Sequence, residues 1–205
     1  MTPFCLEVIM VLLVYMLACC ILPNIIWQVK KIRGEYTCSV SPVSHIVWTY
    51  IYMIYVALAL YVAQIGSVWD MMSYKQFMGS INTTPFAPGG MVPDILNIIM
   101  FMPLGFLLPL IWKNFRKGWK VALTGFGFSV MIEFCQLFNT RISDVDDLIM
   151  NTVGACVGYI IWKVFSRLVR KTKTIEVTKA EPITYLALAV LGVCLLYNWR
   201  FFEMT

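Results

Sequence analysis

The residues of this chain best suited to proton or phosphate chemistry lie in two adjoining stretches, Ser129 to Thr140 and Arg141 to Asn151. In the first, Ser129, Glu133, Gln136 and Thr140 recur at spacings of four, three and four, which on an α-helix is a single polar line. In the second and just beyond it, Asp144, Asp147, Asn151, Gly154 and Gly158 are spaced three, four, three and four. One helix face thus starts with two acids and an amide and continues with small residues that let another backbone approach. Asp146 falls off that face. Earlier in the chain, Asp94 and Asn97 are three apart and share a face of their own. A carboxylate, an arginine and several amides in such company can move a proton, grip a phosphate through a planar guanidinium or hold a divalent cation with oxygen ligands. Each also has a plain structural use, because an arginine among acids makes a salt bridge and buried amides tie helices together.

Other side chains narrow the chemistry. Cys5, Cys19, Cys20, Cys38, Cys135, Cys156 and Cys194 form no CxxC pair and sit mostly inside apolar runs. They read as small packing residues, neither a zinc site nor a disulfide framework. His45 is the single histidine, which excludes a multi-histidine metal centre. No metal and no cofactor is expected.

The elements that must position these groups are membrane helices. Of 205 residues, 60% are hydrophobic and 13% charged, and the mean hydropathy is +0.77. A soluble domain carries roughly twice that share of charge, about 25%, so a cytosolic enzyme, a secreted disulfide scaffold and a disordered chain are all excluded. A net charge of +5 reports orientation in such a protein and gives no reason to expect a nucleic-acid partner. Six stretches approach the ~20 apolar residues that a spanning helix needs: 6 to 27, 45 to 66, 95 to 112, 119 to 138, 148 to 167 and 183 to 199. The expected fold is therefore all-α, a polytopic transmembrane bundle of about six helices. The first run has no basic residue before it and is expected to remain as an anchor. Kinks are expected at Pro103 and Pro109, which neighbouring helices make tolerable in a membrane.

Sorted onto alternate sides, 13 of the 16 Lys and Arg share the side of the loops after the first, third and fifth runs. The positive-inside bias places those loops in the cytoplasm and both termini outside. Every tryptophan, from Trp27 to Trp199, lies at or near a span end, where interfacial anchors belong. Most acids are on the outer side, and only Glu35, Glu176 and Glu181 are inside. Glu133 is the deepest of the outer acids, about five residues or ~7.5 Å from its helix end. A carboxylate facing lipid at that depth costs a few kcal/mol, so Glu133 should face the bundle interior or a wet cavity. Asn97, Glu133, Gln136, Arg141, Asp147 and Asn151 are expected to line one cavity open to the outer leaflet.

The same residues carry a family resemblance. Asn82 to Phe86 (NTTPF), Asn97 to Pro109 (NIIMFMPLGFLLP), Glu133 to Gln136 (EFCQ) and Arg141 to Gly154 (RISDVDDLIMNTVG) resemble, in order, the motifs of the VanZ-like family. The resemblance covers roughly residues 45 to 165. It divides the chain into an extra N-terminal helix with a basic loop (1–44), a VanZ-like membrane domain (45–165), and a basic loop with a C-terminal helix (166–205). It implies a multi-pass protein of the bacterial plasma membrane, in a family named for a member associated with resistance to the glycopeptide teicoplanin. Relatives of the family are thought to act on lipid head groups.

On that basis the first functional expectation is a hydrolase or transferase acting on the phosphate-containing head group of a membrane lipid or polyprenyl-linked precursor. Arg141 would hold the phosphate and Glu133 would serve as general acid or base. Asp144 and Asp147 would orient Arg141 or hold a cation, and Asn97, Gln136 and Asn151 would position head-group oxygens. A non-enzymatic protein that binds or shields an envelope precursor would use the same cavity without a proton-transfer group. A proton-coupled transporter with Glu133 as relay is disfavoured by the lack of polar residues through the inner halves of the third to fifth runs.

Overall fold

The computed structural model describes residues 42–70, 80–82, 91–138, 142–168 and 180–196, with a few helical residues between 21 and 30. The first apolar run and the end of the last therefore lie almost wholly outside the described residues. Five helices are described: α1 (Pro42–Ala63), α2 (Met91–Ile111), α3 (Gly118–Gln136), α4 (Val145–Leu168) and α5 (Glu181–Leu196). They correspond to the second through sixth apolar runs. Two three-residue strands, β1 (Ser80–Asn82) and β2 (Ile142–Asp144), pair in parallel, with Asn82 opposite Asp144. This small parallel bridge is a departure from pure helix that alternation could not reveal in so few residues. A 3-10 turn, Lys113–Phe115, joins α2 to α3.

Three helical stretches, Ser44–Asp70, Val92–Ile111 and Val145–Leu168, are long and apolar enough to cross a membrane, and the helix at Glu181–Leu195 is apolar but shorter. With 19 residues, α3 is about 28 Å long at 1.5 Å per residue, but Glu133, Gln136 and Lys120 dilute its apolar character. Large apolar side chains are exposed along the bundle, among them Leu58 and Val62 of α1, Leu96 and Ile99 of α2, Leu123 and Phe134 of α3, and Ile160 and Val164 of α4. In water such a surface would aggregate. Around a bundle of apolar helices it is the face expected of a membrane protein.

The most extensive helix interface is between α2 and α4, and small residues make it. A Cβ on Gly158 would overlap the Met102 carbonyl oxygen, and one on Gly105 would overlap that of Ala155. Without a hydrophobic force between helices in lipid, such backbone contact supplies the packing energy. The α2 helix continues through both Pro103 and Pro109. On its other side, Phe101, Leu104 and Leu108 join Tyr52, Val56 and Leu60 of α1, Phe128 and Ile132 of α3, and Tyr185 and Ala189 of α5 in the buried core.

Helices alternate in direction, giving the bundle an acidic end and a basic end. The acidic end carries Asp70, Asp94, Glu133 and the Asp144 to Asp147 segment, and the basic end carries Lys113, Arg116, Lys117, Lys120, Lys163 and Arg167. Hydrogen bonds tie both. At the acidic end the Gln136 amide donates to the Ala63 carbonyl at 2.8 Å and the Trp69 indole to that of Leu195 at 3.1 Å. At the basic end the Tyr159 hydroxyl donates to the Arg116 carbonyl at 2.8 Å.

Candidate functional site

The acidic-end cluster is organised by the start of α4. Four N–H groups at a helix start have no partner within the helix, and Asp144 Oδ1 accepts one of them, the Asp146 N–H, at 3.0 Å. Asp144 is thus the N-cap. Asp146 and Asp147 follow in the first turn, where the positive end of the helix dipole favours them. The second oxygen of Asp144 accepts from Asn82 Nδ2 at 3.0 Å, so the bridge between β1 and β2 continues through side chains.

The neighbouring helices meet this turn. From α3, Glu133 Oε2 accepts the Asp144 backbone N–H at 3.2 Å. From α2, Asn97 Nδ2 donates to Asp147 Oδ1. One turn deeper, Asn151 Nδ2 donates to Ser129 Oγ at 2.9 Å, with both residues buried. Asn97, Ser129, Glu133, Asp144, Asp147 and Asn151 therefore do come together where α2, α3 and α4 converge. Glu133 is half-buried and turned toward α4. The Asn151 Oδ1 atom is buried without a hydrogen-bond partner, an acceptor left over inside the cluster.

Two expectations read differently in the fold, and a third falls outside the described residues. Gln136 continues the polar line of α3, but its amide caps the last carbonyl of α1, at Ala63, while its buried Oε1 has no partner. The chain leaves α1 there through Gln64 with φ of 50°, the left-handed turn common after a helix end, so Gln136 stabilises a helix terminus. Asp146, off the shared face, is 9% exposed and more enclosed than Asp144 or Asp147. Arg141 lies outside the described residues, three positions before Asp144. Among the described residues no three acids, histidines or cysteines gather into a group that could hold a metal ion.

Sequence reasoning missed a second buried polar cluster, at the basic end. Glu181 is 1% exposed; its Oε1 lies 3.0 Å from His45 Nε2 and its Oε2 accepts the Trp112 indole N–H at 2.9 Å. Thr49 Oγ1 lies 3.5 Å from the same imidazole nitrogen. Trp112, expected at the interface, is almost fully buried beside Tyr52, with ring centroids 5.0 Å apart. This cluster clamps the start of α5 to α1 and to the end of α2. The available signal was that a histidine, a tryptophan and a glutamate all stood at the same predicted end of three apolar runs.

A sequence model of the VanZ/LLP1 family matches residues 8–166, a span that takes in both polar clusters except Glu181. The chain belongs to the VanZ/LLP1 family. Protein VanZ of Enterococcus faecium is 27% identical over 134 residues, covering 64% of this chain and 78% of that protein. No solved structure matches the chain. Family membership and the apolar helices together make this a VanZ-like membrane protein, and its acidic-end cluster falls in the matched region.

Proposed function

We propose that this VanZ-like protein is a multi-pass protein of the bacterial plasma membrane whose acidic-end cluster binds, and acts on, the phosphate-containing head group of a lipid or polyprenyl-linked envelope precursor. The reading includes an effect on glycopeptide resistance, as the VanZ relationship suggests. The observation that carries it is the convergence of α2, α3 and α4. A carboxylate within a helix is turned inward toward a helix N-terminus, beside two further acids and two amides, and Arg141 is close by in sequence. Intramembrane ionisable groups in such company serve function more often than packing.

In this reading Arg141 holds the phosphate and Glu133 transfers a proton. Asp147, fixed by Asn97, steadies the arginine, and the unpartnered oxygen of Asn151 accepts from a head-group hydroxyl. Asp144 acts as a positioning residue, since one of its oxygens caps the turn and the other accepts from Asn82. A second reading, a binder that shields the precursor without a reaction, is favoured by the same commitment: Asp144 and Asp147 are each satisfied by an asparagine before any ligand arrives. Single-turnover assays with head-group-labelled phospholipid and polyprenyl phosphate separate the two. Release or transfer of the label supports the enzyme. Retention of intact, saturably bound lipid supports the binder, and neither turnover nor binding overturns both.

A further inference from the structure

Spacing along the chain does not pair the cysteines, but the fold brings two of them together. Cys135 stands one residue before the end of α3 and Cys194 two before the end of α5, and their side chains share a hydrogen bond. Both are free thiols in the buried core, Cys135 3% and Cys194 6% exposed. Their neighbours are fastened to one stretch of chain. Gln136, next to Cys135, donates to the Ala63 carbonyl, and the carbonyl of Leu195, next to Cys194, accepts from the Trp69 indole. The ends of α3 and α5 are therefore both tied to residues 63–69, and the two sulfurs are held against each other at the acidic end.

A single buried cysteine packs as a small apolar residue and is chemically inert. Two in contact have a reaction that neither has alone, because a thiol oxidised to a sulfenic acid condenses with a neighbouring thiol to a disulfide. A disulfide needs its sulfurs ~2.05 Å apart, and these start from direct contact. Their enclosure selects the oxidant, which has to be small and uncharged. Hydrogen peroxide is both.

We propose that Cys135 and Cys194 are a redox-active dithiol that hydrogen peroxide closes into a disulfide joining α3 to α5. Cys194, nearer its helix end and the more exposed of the two, reacts first. Its sulfur attacks the peroxide, the O–O bond breaks, one oxygen stays on sulfur as the sulfenic acid, and the other leaves as water with the thiol proton. The Cys135 sulfur then attacks the Cys194 sulfur, the S–O bond breaks, and a second water leaves with the Cys135 proton. Two thiols and one peroxide thus become one disulfide and two waters, with two electrons passed from sulfur to oxygen. The bond would fix the end of α3 two residues beyond Glu133. It needs neither a head group nor Arg141, so it does not rest on the proposed function.

The test uses the full chain in detergent with Cys5, Cys19, Cys20, Cys38 and Cys156 replaced by alanine. Hydrogen peroxide is expected to yield a monomer two hydrogens lighter by mass spectrometry, with the peptides carrying Cys135 and Cys194 joined. Dithiothreitol should reverse the change, and the oxidised chain should melt several degrees higher, as a crosslink between distant residues restricts the unfolded state. In Cys135→Ser no partner remains, so the sulfenic acid of Cys194 should be trapped by dimedone. Should the alanine background not fold, peptide mapping of peroxide-treated wild type decides by the presence or absence of the same joined peptide. Absence of that peptide from folded protein overturns the proposal, as does oxygen added to both cysteines without a bond between them, or a disulfide found only between two chains.

Discussion

Glu133 owes its place to arithmetic and its orientation to a partner. Spacing put it in line with Ser129, and the Asp144 N–H gives its carboxylate somewhere to point other than lipid. If Glu133 transfers a proton, Glu133→Gln should abolish turnover while the folded fraction stays near wild type, since the amide keeps the shape but exchanges no proton. Arg141→Lys should do likewise, because lysine keeps the charge and loses the bidentate fork. Activity per folded molecule equal to wild type in Glu133→Gln would remove it as the proton-transfer group and favour the binder. Asp144 calls for a different experiment. Asparagine caps a helix about as well as aspartate, whereas alanine costs roughly 1 kcal/mol. Asp144→Asn should therefore melt near wild type and Asp144→Ala several degrees lower. Equal melting temperatures for both would mean that the cap contributes nothing. The acids and amides of this cluster were legible because three- and four-residue spacing is a direct image of a helix face. Asn82 was not, since its partner Asp144 is 62 residues away and a three-residue strand carries no periodicity.

At the scale of the helices, composition located five of the described elements within a few residues, because lipid demands long uninterrupted apolar runs and forbids exposed backbone. Which helices touch was less legible. Gly154 and Gly158 announced a close approach but not its partner, which proves to be α2 at Ile98 and Met102. Replacing Gly158 by leucine must force that backbone contact open. Overpacking costs about 1–3 kcal/mol in an ordinary core, and here the obstacle is a main-chain carbonyl that no rotamer change can avoid. Gly158→Leu should lower the melting temperature in detergent and weaken the Asn97 to Asp147 hydrogen bond, so that activity falls more than the folded fraction does. An unchanged melting temperature would show that α2 and α4 are not held at this distance. Glu181 is the counterexample to reading elements singly. The sequence placed it just before the sixth run as one of three acids on the inner side, and only the packing of α5 against α1 and α2 buries it with His45 and Trp112.

For the molecule as a whole, the separation of charge is the fact from which its orientation must be argued. The basic residues between α2 and α3 and at the end of α4 lie at one end, the acidic turn of α4 and the inward-facing Glu133 at the other, and among the described residues the acid at the basic end is the buried Glu181. Lysine and arginine near span ends are retained on the cytoplasmic side far more strongly than acids are directed to the other, so the basic end should face the cytoplasm and the acidic cluster the outside. In a background with the native cysteines replaced by alanine, Lys117→Cys should react with a membrane-impermeant maleimide only after cells are permeabilised, whereas Lys75→Cys, in the segment between α1 and α2, should react in intact cells. The reverse pattern would turn the molecule over. It would open the acidic cluster to the cytoplasm, where lipid precursors are made and not where finished wall material is exposed, and the proposed substrate would have to change with it.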